Sequence, residues 1–198
     1  MSLPMVSQQS LDVRPINWLG LPKRFMNPGE LEVLVALVKS VAPPARIMIE
    51  IGVNEGRTAR SIIREVQSIE CYVGVDVEHG YRPIKRFQVD EIPDIPGKYV
   101  RGDPLFHLVL RRRGSLDLNP EDLPQCDVMF IDGDHGREAV FNDTRLAQGL
   151  VRTGGLIVWH DYHDAGTVDV PEVLDFLHRA GMEIEHIEGT WLAVHKVQ

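Results

Sequence analysis

Two short runs of this chain hold most of its groups that can titrate or ligate. Asp132-Gly133-Asp134-His135 closes the apolar run Val128–Ile131, and His160-Asp161-Tyr162-His163 closes a second apolar run ending at Trp159. Each run reads as the carboxyl end of a buried strand, Asp127–Asp132 and Gly155–His160. Two neighbouring strands would then bring three Asp and three His to one edge. Ending buried strands on carboxylates costs desolvation unless a ligand or partner satisfies them. Carboxylate oxygens suit hard divalent cations, and imidazole extends the range to borderline ones. A histidine titrating near neutrality also suits general-base work. A single strand-end His more often caps backbone or packs on an aromatic, with Trp159 or Tyr162 at hand. The Asp-rich edge could equally orient a substrate hydroxyl and a cofactor.

A third run positions a ligand rather than reacting with it. Ile47–Ile51 is apolar apart from Glu50, Gly52 ends it, Gly56 follows four residues later, and a helix-compatible segment begins at Arg57. Strand, glycine turn and helix bring a backbone close to a bound nucleotide. A dinucleotide site wants G-x-G-x-x-G. Here the pattern is Glu50-x-Gly52-x-x-x-Gly56, with an acid in the strand end. That acid would repel a pyrophosphate but suits a ligand carrying an ammonium group and a ribose, as S-adenosylmethionine does. Asp76, at the tip of the next strand in Val-Gly-Val-Asp-Val, can accept two hydrogen bonds from a ribose diol; a turn-forming Asp is the plainer alternative.

The elements that must hold these tips alternate. Strands are predicted at Arg46–Ile51, Tyr72–Val77, Tyr99–Arg101, Asp127–Asp132 and Gly155–His160, with helices at 57–68, 104–113, 136–151 and 170–180. Glu183–Ile187 and Trp191–Lys196 form a closing hairpin. The fold class is α/β: a doubly wound, Rossmann-like sheet, mostly parallel with one antiparallel C-terminal strand. Asn27-Pro28 reads as the N-cap and first residue of a helix that Pro43-Pro44 stop. Residues 1–27 form an N-terminal arm and 28–198 a single domain. The segment from Glu78 to Lys98 breaks the alternation with Gly80, Pro83, Pro93, Pro96 and Gly97. Its Tyr81, Ile84, Phe87 and Val89 suit either an excursion over the ligand edge or a self-packed surface loop.

Composition narrows the partners. A net charge of −8 opposes a nucleic-acid footprint, which needs a basic surface. The Arg111-Arg112-Arg113 cluster reads as a solvated helix end. Cys71 and Cys126 sit at the starts of predicted strands as small buried residues, not a disulfide or metal pair. Without a membrane-length apolar run or a signal pattern, the expected setting is cytoplasmic, with no membrane partner. The arm leaves room for a homo-oligomer.

From about Glu30 to the C-terminus, the order of elements and their strand-end residues resemble the class I S-adenosylmethionine-dependent methyltransferases. The likeness is to the small-molecule and sugar O-methyltransferase branch related to catechol and caffeoyl-coenzyme A methyltransferases. The resemblance implies that Glu50 meets the methionine ammonium, that Gly52, Asn54, Gly56 and Thr58 line the cofactor loop, and that Asp76 holds the ribose. It places Gly102 and Asp103 beside the adenine, although Asp103 before Pro104 also reads as a helix N-cap. In metal-dependent relatives one Asp ends the fourth strand and an Asp-Asn pair the fifth. Asp132 matches the first, and His160-Asp161 stands in place of the pair. The implied metal set is Asp132, His160 and Asp161; of the possible cations, the His counts against magnesium and leaves manganese, iron or zinc open. Asp132 would also border the cofactor. The relatives' catalytic lysine lies three residues after the metal Asp, where this chain has His135. His135 is therefore the nominated base, with His160 and His163 as rivals.

The expected activity is methyl transfer to a small-molecule acceptor, a sugar or phenol hydroxyl. Two readings compete on the same residues: a metal-dependent hydroxylase of related fold, built on Asp132, His160 and Asp161, and a cofactor-binding protein without catalysis. A nicotinamide oxidoreductase shares the fold class but is opposed by the glycine spacing and Glu50.

Overall fold

The computed structural model describes residues 2–16, 26–27, 29–83, 92–163 and 166–198. Its elements in chain order are β1 (Met5–Val6), α1 (Glu30–Ser40), β2 (Ile47–Ile51), α2 (Arg57–Glu65), β3 (Cys71–Val77) and β4 (Phe106–Arg111). They continue with β5 (Cys126–Ile131), α3 (Arg137–Leu150), β6 (Val151–Trp159), α4 (Val170–Arg179), β7 (Glu185–Ile187) and β8 (Ala193–Lys196). One eight-stranded sheet runs β1-β7-β8-β6-β5-β2-β3-β4. β6, β5, β2, β3 and β4 are parallel, and β8 is antiparallel to both β6 and β7.

Strand alternation divides the core into two layers. Ile49, Ile51, Val75, Met129, Ile131, Ile157 and Trp159 pack with residues of α3 and α4. Met48, Tyr72, Val128, Phe130, Leu156 and Val158 pack with residues of α1 and α2. The same parity carries Asp132 and His160 past the ends of β5 and β6 on the α1 side. This parity decides the fate of His160.

Several expectations need correction. Residues 99–101 are turn, and the third parallel strand is β4, where a helix over 104–113 was predicted. Asp103 before Pro104 is a good helix start in isolation. However, Phe106, Leu108 and Leu110 alternate along an edge strand that pairs with β3 from Tyr72↔Phe106 to Val77↔Arg111. Tertiary pairing outweighs the local signal. The Arg111–Arg113 cluster therefore closes a strand, not a helix.

At the start of α1 the N-cap is Gly29, not Asn27. Pro28 lies outside the described residues, as do Ile84, Phe87 and Val89. The arm packs on its own sheet: β1 pairs in parallel with β7, and Leu3 is buried. The closing hairpin is shorter than predicted, and β6 starts four residues before the expected Gly155, with an irregular register against β5 between Cys126 and Val128.

Candidate active site

A cavity of ≈ 510 Å³ opens at the carboxyl edge of the parallel strands, the edge at which open α/β sheets bind ligands. It is lined by Gly52, Asn54, Asp76 and the turn Gly114–Leu116. Asp132–His135, Asp161, His163 and Trp191 line it as well, together with Tyr81, Pro83, Ile92 and Pro93.

The glycine loop is shaped first by the protein's own backbone. Gly52 has φ +87°, and a Cβ there would fall 2.0 Å from the Asp132 carbonyl oxygen. Only glycine lets the β2 and β5 tips approach so closely. Asn54 takes the left-handed conformation at φ 51°, and its N–H donates to Asp76 Oδ2 at 2.7 Å. The other oxygen of Asp76 accepts the Val77 N–H at 2.7 Å. Burial pushes the Asp76 carboxyl up to about 6 against these two bonds. A carboxylate has about four lone-pair sites, so Asp76 keeps acceptor capacity toward the cavity it lines. That spare capacity fits a ribose diol.

Glu50 is placed differently from its expected role at a methionine ammonium. It lies buried on the α1–α2 face, where the Tyr72 hydroxyl donates to its Oε2 at 3.0 Å. Burial, then the Asp132 and Asp76 charges, push its carboxyl well above the usual range. It backs the loop without lining the cavity. Asn54 and Thr58 border a smaller recess beside it, together with Gly52 and Asp132. Gly102 and Asp103 precede β4 and so sit at the amino edge of the sheet, away from the cavity; Gly114 and Ser115, past the other end of β4, line it instead. The signal for that turn, glycine closing an apolar run, was present but hidden by the helix reading.

At the reactive end, Asp161 adopts φ 61°, a sparsely populated conformation for a non-glycine residue that its surroundings must hold. His135 Nε2 lies 2.9 Å from Asp161 Oδ2 and 3.9 Å from Asp132 Oδ1. His163 Nε2 lies 3.7 Å from Asp161 Oδ1, and its ring packs 4.2 Å from that of Trp191. Asp134 accepts from the Tyr81 hydroxyl at 2.7 Å, joining the excursion after β3 to the β5 loop. Burial alone would raise the Asp161 carboxyl, but His135 and then His160 hold it well below the usual range.

His160 does not line the cavity, but its Nδ1 faces the two carboxylates with which it was expected to hold a metal. Its Nε2 lies 3.0 Å from Glu30 Oε2, and its Nδ1 lies 3.1 Å from Asp161 Oδ2 and 3.3 Å from Asp132 Oδ1. Burial would lower the ring's pKa, but Asp132, Asp161 and Glu30 together raise it well above the ordinary value. Both nitrogens face carboxylates and are already engaged. Among the described residues, Asp132, His135 and Asp161 offer ligand atoms that all lie within 4.8 Å of one another. These donors are of the kind a divalent ion takes, and His160 Nδ1 approaches the same two carboxylates from the other side. Sequence reasoning also missed Glu30, which first meets the site through the fold.

With this geometry established, comparison with known proteins is decisive. A family model described as a methyltransferase domain matches residues 49–162, more than half of the chain. The chain belongs to the methyltransferase-domain family. The resemblance to class I S-adenosylmethionine-dependent methyltransferases is thereby borne out, and with it an S-adenosylmethionine-dependent enzyme. The fold is shared with SAH-bound methyltransferase PaMTH1 of Podospora anserina, at TM-score 0.61 and 10% identity over 87% of this chain and 79% of that one. It is also shared with cofactor-bound Rv0187 from MTB, at 0.61 and 20% identity over 90% and 84%. The O-methyltransferase NovP matches at 0.61 and 15% identity over 85% and 80%. In sequence, 38 residues are 50% identical to uncharacterized protein R132 of Acanthamoeba polyphaga mimivirus, a stretch spanning only 17% of that protein. Among the described residues of this methyltransferase, no helix is long and apolar enough to cross a membrane.

Proposed function

We propose that this methyltransferase methylates a hydroxyl of a small-molecule acceptor, a sugar or a phenol, with His135 as the base. The observation that carries the reading is the continuity of the cavity. The tips that fit a nucleoside, Gly52, Asn54 and Asp76, share one space with His135, His163 and Trp191. Bound S-adenosylmethionine would supply an electrophilic methyl group on sulfur.

The protein's contribution is alignment and proton removal. Asp76 and the Gly114–Leu116 turn are placed to hold the nucleoside end. The packed rings of Trp191 and His163 line the same cavity and offer an apolar face to an acceptor ring. As the methyl carbon leaves sulfur and bonds to the acceptor oxygen, the hydroxyl proton passes to the His135–Asp161 pair. Asp161 at 2.9 Å stabilises the imidazolium that forms, as a buried carboxylate does for a catalytic His elsewhere. The products are the demethylated cofactor and a methyl ether. A divalent ion held by the Asp132 and Asp161 carboxylates would lower the pKa of the hydroxyl and fix its direction, leaving His135 to take the proton.

The competing hydroxylase reading finds less support. A non-haem iron oxygenase wants two His and one carboxylate with open positions. Among the described residues, the ion-sized group has one His and two carboxylates. The deciding experiment incubates the protein with labelled S-adenosylmethionine and a panel of catechols and monosaccharides, with mass spectrometry of the products. Acceptor-dependent formation of S-adenosylhomocysteine is expected. Tight cofactor binding with no transfer to any acceptor would favour the non-catalytic reading, and oxygen uptake with iron the hydroxylase.

A further inference from the structure

We infer that Tyr162 is a positioning residue for methyl transfer, anchored by the N-terminal arm and α4 so that Asp161 presents its carboxylate to His135. The inference rests on the proposed role of His135 and adds what holds its partner in place. Asp161 stands at φ 61°, a conformation that persists only where the surroundings over-determine it. Two anchors on opposite faces of the sheet meet that need. On the α1 side, the preceding His160 ring is held by Glu30 at 3.0 Å. On the α3–α4 side, the following Tyr162 is buried in the same core cluster as Trp159, Val173 and Leu174.

Three hydrogen bonds fix Tyr162. Its backbone N–H donates to the Trp191 carbonyl at 2.9 Å. Its hydroxyl accepts the Leu3 N–H at 3.0 Å, across 159 residues of sequence, and donates to Asp175 Oδ1 at 2.8 Å. The ring packs 5.0 Å from that of His186, whose backbone N–H donates to the Pro4 carbonyl at 2.8 Å. The arm thus reaches Asp161 from outside the cavity, by way of β7 and Tyr162. Tyr162 does not line the cavity, whereas Asp161 before it and His163 after it both do. A buried hydroxyl that both donates and accepts holds its ring in one place. With His160 held on one side and Tyr162 on the other, Asp161 cannot relax to an ordinary conformation without breaking an anchor. Its Oδ2 therefore stays 2.9 Å from His135 Nε2, and that contact fixes the neutral ring with its proton on Nε2.

The test is Tyr162→Phe in the full chain, which keeps the ring and removes only the hydroxyl. Nitrogen-15 spectra of histidine-labelled protein, recorded at one alkaline pH without acceptor, report the tautomer of the His135 ring. The wild type is expected to show a single form protonated on Nε2, and Tyr162→Phe a mixture of both tautomers. Asp175→Ala, which removes the partner of the same hydroxyl and leaves Tyr162 in place, should shift the spectrum the same way. With an acceptor from the product panel, Tyr162→Phe should lower turnover roughly 10–100-fold, the scale of a small misalignment, with S-adenosylhomocysteine affinity within about threefold. In an Asp161→Asn background the same substitution should change turnover less than about threefold, because its effect runs through the missing carboxylate. A lesion of structure alone would multiply with Asp161→Asn, and that result overturns the inference. A His135 spectrum unchanged in Tyr162→Phe overturns it as well. A shifted spectrum in a protein that transfers methyl to no acceptor supports the anchoring and retires only the reading of His135 as the base.

Discussion

Glu30 Oε2 and His160 Nε2 meet at 3.0 Å across 130 residues of sequence, in the interior of the α1 side of the sheet. The same carboxylate accepts the Trp191 N–H at 2.6 Å and the Asn27 N–H at 2.6 Å. Burial would raise it, but the His160 ring, the Trp191 amide and Asn27 hold it below the usual carboxylate range. One side chain thus ties the segment before α1, the end of β6 and the β7–β8 turn to the rim of the cavity. Removing one partner of a buried pair leaves the other uncompensated, at a cost of about 3–5 kcal/mol. Glu30→Ala is expected to lower stability by that amount in urea unfolding. A loss below 1 kcal/mol would show that the contact contributes little.

Asp76 should govern cofactor affinity. Losing its hydrogen bonds to a ribose would cost roughly 1.5–3 kcal/mol, so Asp76→Ala should weaken S-adenosylhomocysteine about 10–100-fold in calorimetry. The carboxyl is pushed up to about 6 by burial, and only the ionised form accepts from both hydroxyls. Affinity should therefore be full at pH 7.5 and fall as pH drops through 6, and Asp76→Asn should flatten that profile.

Much of this site was legible because strand tips are local. Gly52, Asp76, Asp132 and Asp161 each close an apolar run, so residue type and strand end alone place them at the ligand edge. What was not legible depended on side-chain parity and pairing partner. His160 continues the Leu156–Val158 face toward α1, and nothing in the sequence names Glu30 as its partner. Asp103-Pro104 carries a genuine helix-start signal, and only pairing with β3 turns the following residues into β4. That single error moved the expected adenine contact to the wrong edge of the sheet and hid Gly114 and Ser115.

His135→Ala should separate chemistry from binding. General-base removal typically costs 10²–10⁴-fold in rate. The variant should lose turnover in that range with an acceptor found by the panel, while S-adenosylhomocysteine affinity stays within about threefold, since the nucleoside contacts are assigned to Asp76 and the Gly114–Leu116 turn. Turnover within a factor of three of the wild type would remove His135 as the base and leave His163, packed on Trp191, as the next side chain to replace.

Asp143 on α3 gives the clearest stability signature. It is fully buried, its Oδ2 has no hydrogen-bond partner, and it stands behind Gly133 on the cavity wall. Burial pushes its carboxyl from 3.8 up to about 7, against the lowering by Ser115 and Asn142. An acid raised in the folded state favours folding only while protonated. Its contribution is complete below pH 3.8, the unfolded value, declines as pH rises to 7, and is lost above that. At about 1.4 kcal/mol per unit, ionising it costs the fold up to roughly 4 kcal/mol. Asp143→Asn keeps the shape without the charge, so it should raise the unfolding free energy at pH 8 and leave it nearly unchanged at pH 4. Denaturant melts of both proteins across that range test the sign directly. An Asn variant less stable than the wild type at pH 8 would mean that the ionised carboxylate has a partner the fold depends on.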